Sequence, residues 1–286
     1  EAEKSFEDAL VQEPINTGAA KELFIKSRDL TLVLIEEGIK DNRLIELEAK
    51  LKESEGLLLG IVDAAPKVFL DLALIREGLS PKELVLDQDK MALLDQSGSR
   101  VVTVSTEGTG TVVLGGGEKL GGAKGVAVYS SRVFVLSEKG VLELSSSGGV
   151  STALEPDAEW GSPIKVGAFG SNLYLMTDAG EIWRFPSTNK GFAAKQKWLG
   201  PGVTIPASPL DWSMDGSIWV LSIGSKIQKY TRGAPNSFSV KGLDVSFSEA
   251  RAIYTDETLT SLFVLDAKNA RVVELEKTGD LKNEYR

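Results

Sequence analysis

Five short stretches decide the reading: Met91-Ala-Leu-Leu-Asp95, Val133-Phe-Val-Leu-Ser137, Leu173-Tyr-Leu-Met-Thr177, Ile218-Trp-Val-Leu-Ser222 and Leu262-Phe-Val-Leu-Asp266. Their first residues lie 42, 40, 45 and 44 positions apart. A second apolar stretch follows each, at Val101, Val141, Ile182, Ile227 and Val272. Between the two lie Gln96-Ser-Gly-Ser99, Glu138-Lys-Gly140, Asp178-Ala-Gly180, Gly224-Ser225 and Lys268-Asn269, where Gly and Asn supply the positive φ of tight hairpins. A strand–turn–strand unit that returns every 40 to 45 residues is the signature of a β-propeller blade.

Outward from each pair, a preceding strand is expected at Leu84–Asp87, Lys124–Tyr129, Ile164–Phe169, Leu210–Met214 and Ala250–Tyr254. A more polar fourth strand is expected at Thr111–Leu114, Val150–Leu154, Lys195–Leu199, Phe238–Val240 and Leu281–Tyr285. Five blades are visible. A propeller has to close or leave unpaired edges. Either Val68–Ile75, read as a lead-in strand, helps close a five-bladed ring, or a sixth blade lies beyond Arg286. The reading leans to a six-bladed ring cut short.

Residues 1–82 read differently. Lys21–Glu37 and Asn42–Val62 are rich in helix formers, with apolar stripes at Leu23, Leu30 and Leu34 and at Leu44, Leu47, Leu51, Leu58 and Ile61. Gly38–Asp41 is the turn between them, Asn16 or Thr17 the first cap, and Ser5–Glu13 a shorter helix ended by Pro14. The expected organisation is a helical hairpin or stalk over 1–66 and a propeller over 67–286. Each helix has one narrow seam, buried against its partner or, alternatively, docked to a second copy in a helix-mediated homo-oligomer.

Composition excludes several chemistries. The chain of 286 residues has no Cys and no His, so disulfides, thiol catalysis, Cys/His zinc sites and imidazole general bases are absent. A net charge of −9, with −6 of it in residues 1–82, argues against a nucleic-acid surface. No stretch reaches the ~18 apolar residues of a membrane span. The chain opens on Glu1 and stops at Arg286, and a targeting or tethering segment upstream is part of the expectation.

Two sets of side chains are candidates for a site. An aromatic residue closes the first strand in four blades: Tyr129, Phe169, Trp212 and Tyr254. These rings either line a ligand-binding channel mouth or pack between blades. Acidic residues recur near strand ends, at Asp87, Asp89, Asp178, Asp211, Asp215, Asp244 and Asp256. Carboxylate oxygens suit a calcium-type ion, but Asp is also favoured in turns for its own hydrogen bonding. No catalytic residue, cofactor or metal ligand is assigned. The glycine-rich Gly115-Gly-Gly-Glu-Lys-Leu-Gly-Gly122 lacks phosphate-loop spacing and reads as an inter-blade connection.

Gly125-Val-Ala-Val with Val133-Phe-Val-Leu, and Leu265-Asp-Ala-Lys-Asn-Ala-Arg-Val-Val273, resemble the opening strands and third-strand turn of the NHL class of propeller. WD40 and Kelch repeats are disfavoured, since no Gly-His or Trp-Asp pairs and no recurrent double glycines mark the blades. The helical hairpin, Phe69-Leu-Asp-Leu72 and Leu94-Asp-Gln-Ser-Gly-Ser-Arg-Val-Val102 together resemble a group of bacterial proteins from candidate phyla, in which a PP2C-like phosphatase domain and a membrane span can precede the propeller. That resemblance implies an extracytoplasmic, membrane-tethered interaction or sensing module. The expected function is non-catalytic binding of a protein, peptide or glycan. The alternative is a metal-dependent hydrolase or lactonase using channel carboxylates.

Overall fold

The structure, a computed structural model, describes residues 1–95, 97, 99–107, 110–205 and 208–286. Gln96 and Gly98 of the expected first-blade turn lie outside them. The chain is mainly β. Five successive four-stranded antiparallel sheets, spanning 81–116, 125–154, 163–197, 209–236 and 250–285, give it the blade pattern of a β-propeller, with helices at the N-terminus. Each quoted repeat is the second strand of its sheet, and strand order follows chain order within each blade.

By contacts the residues form two compact units. One comprises 66–209 and 230–235, the other 1–65, 210–229 and 236–286. In the first unit, the alternation of side chains across each pleat builds two cores. Ala92, Leu94 and Val101 of blade 1 meet Val126, Val133 and Val135 of blade 2. On the other face of blade 2, Phe134, Leu136 and Val141 meet Leu173, Leu175 and Trp183 of blade 3.

Val68–Ile75 is not the expected strand. Leu72–Ile75 is a single helical turn capped by Asp71, whose side chain accepts from Ala73 N at 2.9 Å. Leu72 and Ile75, one helical turn apart, together with Leu70 and Leu79 cover Leu93, Val102 and Val104 on the outer face of blade 1.

Blade 3 holds a second unexpected element. Ser187–Thr188 and Gly191–Phe192 form a small two-stranded sheet inserted between its third strand, Ile182–Phe185, and its short fourth, Gln196–Lys197.

In the second unit, Trp219, Leu221 and Ile227 of blade 4 pack on Leu262, Val264, Val273 and Leu275 of blade 5. The fourth strand of blade 4 is Ala234–Asn236, not Phe238–Val240. Phe238 instead packs edge-on against Trp219 at 5.0 Å.

Three helices open this unit: α1 (Ala2–Gln12), α2 (Thr17–Glu36, capped by Asn16) and α3 (Asn42–Leu59). The buried stripe of α2 is Ala20, Phe24, Ser27 and Thr31, while the expected Leu23, Leu30 and Leu34 are only half-buried. Close approach of α1 favours small residues there, and Ser27 Oγ donates to the Ala2 carbonyl at 2.8 Å. Helix α3 stops at Gly60 in the left-handed conformation, three residues before expected. Ile61 and Val62 then pair in parallel with Glu284 and Tyr285, giving the last blade a fifth strand.

Candidate functional site

The first strand of each sheet is an edge strand, and alternate N–H groups along it point away from its own ladder. In blades 2 and 5, side chains one blade earlier take up N–H groups along or just past that strand. Glu83 Oε2 accepts from Val126 N at 2.9 Å, and Asp87 Oδ2 from Ser130 N at 2.6 Å. Glu83 also reaches Lys165 Nζ, in the blade after that, at 2.7 Å. In the other unit, Asp211 Oδ2 accepts from Ile253 N at 3.0 Å, and Ser213 Oγ accepts from Thr255 N at 2.9 Å.

Five of the seven carboxylates considered as metal ligands are committed elsewhere. Asp87 and Asp211 tie one blade to the next. Asp215 pairs with Lys277 at 2.7 Å, and Asp244 takes both Nη atoms of Arg28 at 2.6 and 2.7 Å. The Arg28 hydrogen bonds hold the Asp244 carboxyl below the usual carboxylate range. Asp256 caps Thr258 N and Leu259 N and accepts from the Tyr254 hydroxyl at 3.0 Å. Burial would raise the Asp256 pKa, but these bonds outweigh it and the net shift is downward. Among the described residues no three acidic side chains converge as a cation requires. These residues do not form a calcium-type set.

The four aromatic residues are all half-exposed, two in each unit. Tyr129 pairs with Arg132 and Phe169 with Asn172, so these two hold the same place in their blades. Tyr254 pairs with Phe263, a place opposite in register to Phe134 and Tyr174 of earlier blades. That place is two residues from Tyr129's, so Tyr254 keeps the same sheet face but sits one step earlier along its strand, and the four rings do not repeat one position.

Tyr129 borders a cavity of about 180 Å³ between blades 2 and 3, and Phe169 does not. Its walls include Arg132, Phe134, Ala168, Asn172 and Phe192. Phe192 comes from the inserted hairpin and meets the Phe134 ring edge-on at 5.9 Å. The Arg132 guanidinium lies 4.8 Å from the Phe134 centroid and 5.6 Å from that of Phe192. Glu143 grips the same guanidinium through two bonds of 2.7 Å and raises its pKa. The matching cleft between blades 1 and 2, about 250 Å³, is lined by Asp89, Lys90, Ser131 and Val133 and has no ring among its described residues.

Sequence reasoning singled out Tyr129, which borders this cavity, and did not single out Arg132 or Phe192. The available signal was the 45-residue step from Leu173 to Ile218, the longest of the four, which leaves room for the hairpin.

No family model matches the chain, and no curated protein matches it. Solved structures do. A structure of a nidogen/laminin complex is 13% identical with a TM-score of 0.53, over 77% of this chain and 83% of that one. YCF48 bound to a D1 peptide is 12% identical with a TM-score of 0.48, over 72% and 67%. The Xanthomonas campestris gluconolactonase XC5397 is 14% identical with a TM-score of 0.49, over 67% and 70%. Identity this low carries the fold alone, and the nidogen/laminin match, with the five sheets described above, makes the chain a β-propeller with N-terminal helices.

Proposed function

We propose that the chain is a non-catalytic propeller module that binds a protein, peptide or glycan. The observation that carries this reading is how the acidic side chains of the first strands are used. They accept hydrogen bonds from the next blade's backbone, which stiffens the support, while half-exposed rings such as Tyr129 and Phe169 stand at the strand ends. A rigid scaffold that presents aromatic residues at hairpin ends suits recognition.

The resemblance to tethered bacterial propellers supports a sensing or docking role outside the membrane. Leu32, Val33 and Ile45 on the helices are exposed and supply a surface for helix-mediated self-association.

Peptide and glycan arrays probed with the intact chain test the reading, alongside a lactone-hydrolysis assay with added calcium. The expected result is saturable binding, weakened about tenfold or more by Tyr129→Ala or Phe169→Ala, and no turnover. Hydrolysis that disappears in Asp87→Asn or Asp211→Asn would overturn it in favour of the hydrolase.

A further inference from the structure

We infer that the cavity between Tyr129 and Phe192 is an anchor pocket for one aromatic side chain of an extended peptide. This rests on the binding reading above and gives its ligand a chemistry.

Size comes first. At about 180 Å³ the cavity is well below the ~300–1,000 Å³ that whole small-molecule ligands occupy. It is close to the ~150 Å³ apolar cavity that admits benzene. One ring fits.

Charge comes next. The only cation bordering the cavity, among the described residues, is Arg132, and its guanidinium is already bonded twice to Glu143 and laid over Phe134 and Phe192. A charged guest would lose hydration and find no partner. A neutral guest avoids that cost.

A pyranose is also neutral, but it needs planar polar groups to hold its hydroxyls. Asn172 donates to the carbonyls of Phe169 and Gly170, and its Oδ1 accepts from Arg184 and Ser187 N. With Arg132 and Glu143 satisfying each other, a guest meets ring face and methyl from Phe134, Phe192, Ala168 and Leu173, with Tyr129, Ser130 and Ser171 beside them. That favours an aromatic side chain over a sugar.

The hairpin that carries Phe192 says how the rest of the ligand lies. Its sheet has two strands, Ser187–Thr188 and Gly191–Phe192, and no third strand pairs with either among the described residues. A two-stranded sheet is marginal alone, and an added strand is a common mode of peptide capture. An extended peptide running along this edge places one side chain toward Phe192.

The test is an NMR titration of the intact chain, labelled at Ala methyls and Phe rings. Three probes are used: a capped Thr-Thr-Tyr-Thr-Thr peptide, the same peptide with Ala for Tyr, and methyl glucoside. The Tyr peptide is expected to shift Ala168 and Phe192, with the Ala peptide at least about tenfold weaker. Ala168→Leu, which fills the cavity, is expected to reduce binding by a similar factor. Should that variant fail to fold, the wild-type mapping and the Tyr-to-Ala comparison decide alone.

Equal binding of the two peptides, or glucoside shifting Phe192 when the Tyr peptide does not, overturns the inference. Shifts confined to other blades also overturn it but leave the broader binding reading standing. Silence from all three probes, together with blank peptide and glycan arrays, overturns both.

Discussion

Glu274 shows how one residue sets a pH response. Burial alone would push its carboxyl up, but Lys282, Asn283, Ser261 and Tyr285 all donate to it and hold it down to about 2 from an ordinary 4.5. The folded value lies below the unfolded one. The stabilisation is therefore complete above pH 4.5 and is lost as pH falls toward about 2. Tyr285→Phe removes the 2.8 Å bond from the ring hydroxyl. The variant is expected to be ~1–2 kcal/mol less stable at neutral pH. That gap should narrow steadily between pH 4.5 and about 2, because the protonated carboxyl has less to lose. Urea denaturation of both proteins across that range checks it. A gap that stays constant with pH would show that the hydroxyl acts by packing rather than on the carboxylate.

At the scale of elements, the blade was legible because its repeat is local. A four-residue apolar strand and a glycine turn are each read from a few neighbours, and all five second strands lie where the spacing puts them. The same holds for the Asp266…Arg271 turn. Asp266 accepts from Ser248 N, Glu249 N, Asn269 and Arg271, and Asp95 with Arg100 stands at the matching place in blade 1. What was not legible depends on distant partners. The Leu72–Ile75 helix exists because blade 1 has an outer face to cover, and the Phe192 hairpin because Phe134 offers a ring to meet. Tyr254 looked equivalent to Tyr129 until strand pairing put it two residues away along its strand.

Gly140 is a turn residue whose role reaches past the turn. It lies at φ +91°, and a Cβ there would run into the carbonyl oxygen of Leu154, where the outer strand of the same blade ends. Gly140→Ala is therefore expected to cost more than ~1 kcal/mol, as strain and clash add. A thermal melt checks it. An unchanged midpoint would mean that the outer strand yields freely.

At the scale of the molecule, the helices belong to the last blade. Lys21 Nζ donates to Leu281 O at 2.9 Å, and burial lowers its pKa against the pull of Glu284. Gly60 O accepts from Glu284 N at 2.8 Å, Val62 O from Arg286 N at 3.0 Å, and Ala64 N donates to Arg286 O at 2.7 Å. The outer edge of the fifth blade is thus paired rather than open, which removes a template for association with other chains. Two ties can be cut separately. Arg28→Ala breaks the bidentate contact to Asp244, which is partly buried, and is expected to cost ~1.5–3 kcal/mol while leaving the Ile61–Val62 ladder in place. Removal of residues 1–65 exposes the Leu281–Tyr285 edge itself. That truncated chain is expected to associate as its concentration rises, whereas the Arg28 variant is not. Light scattering across a dilution series separates the two. A truncated chain that stays at one mass with an unchanged melting point would show that the edge needs no cover, and that the helices have some other use.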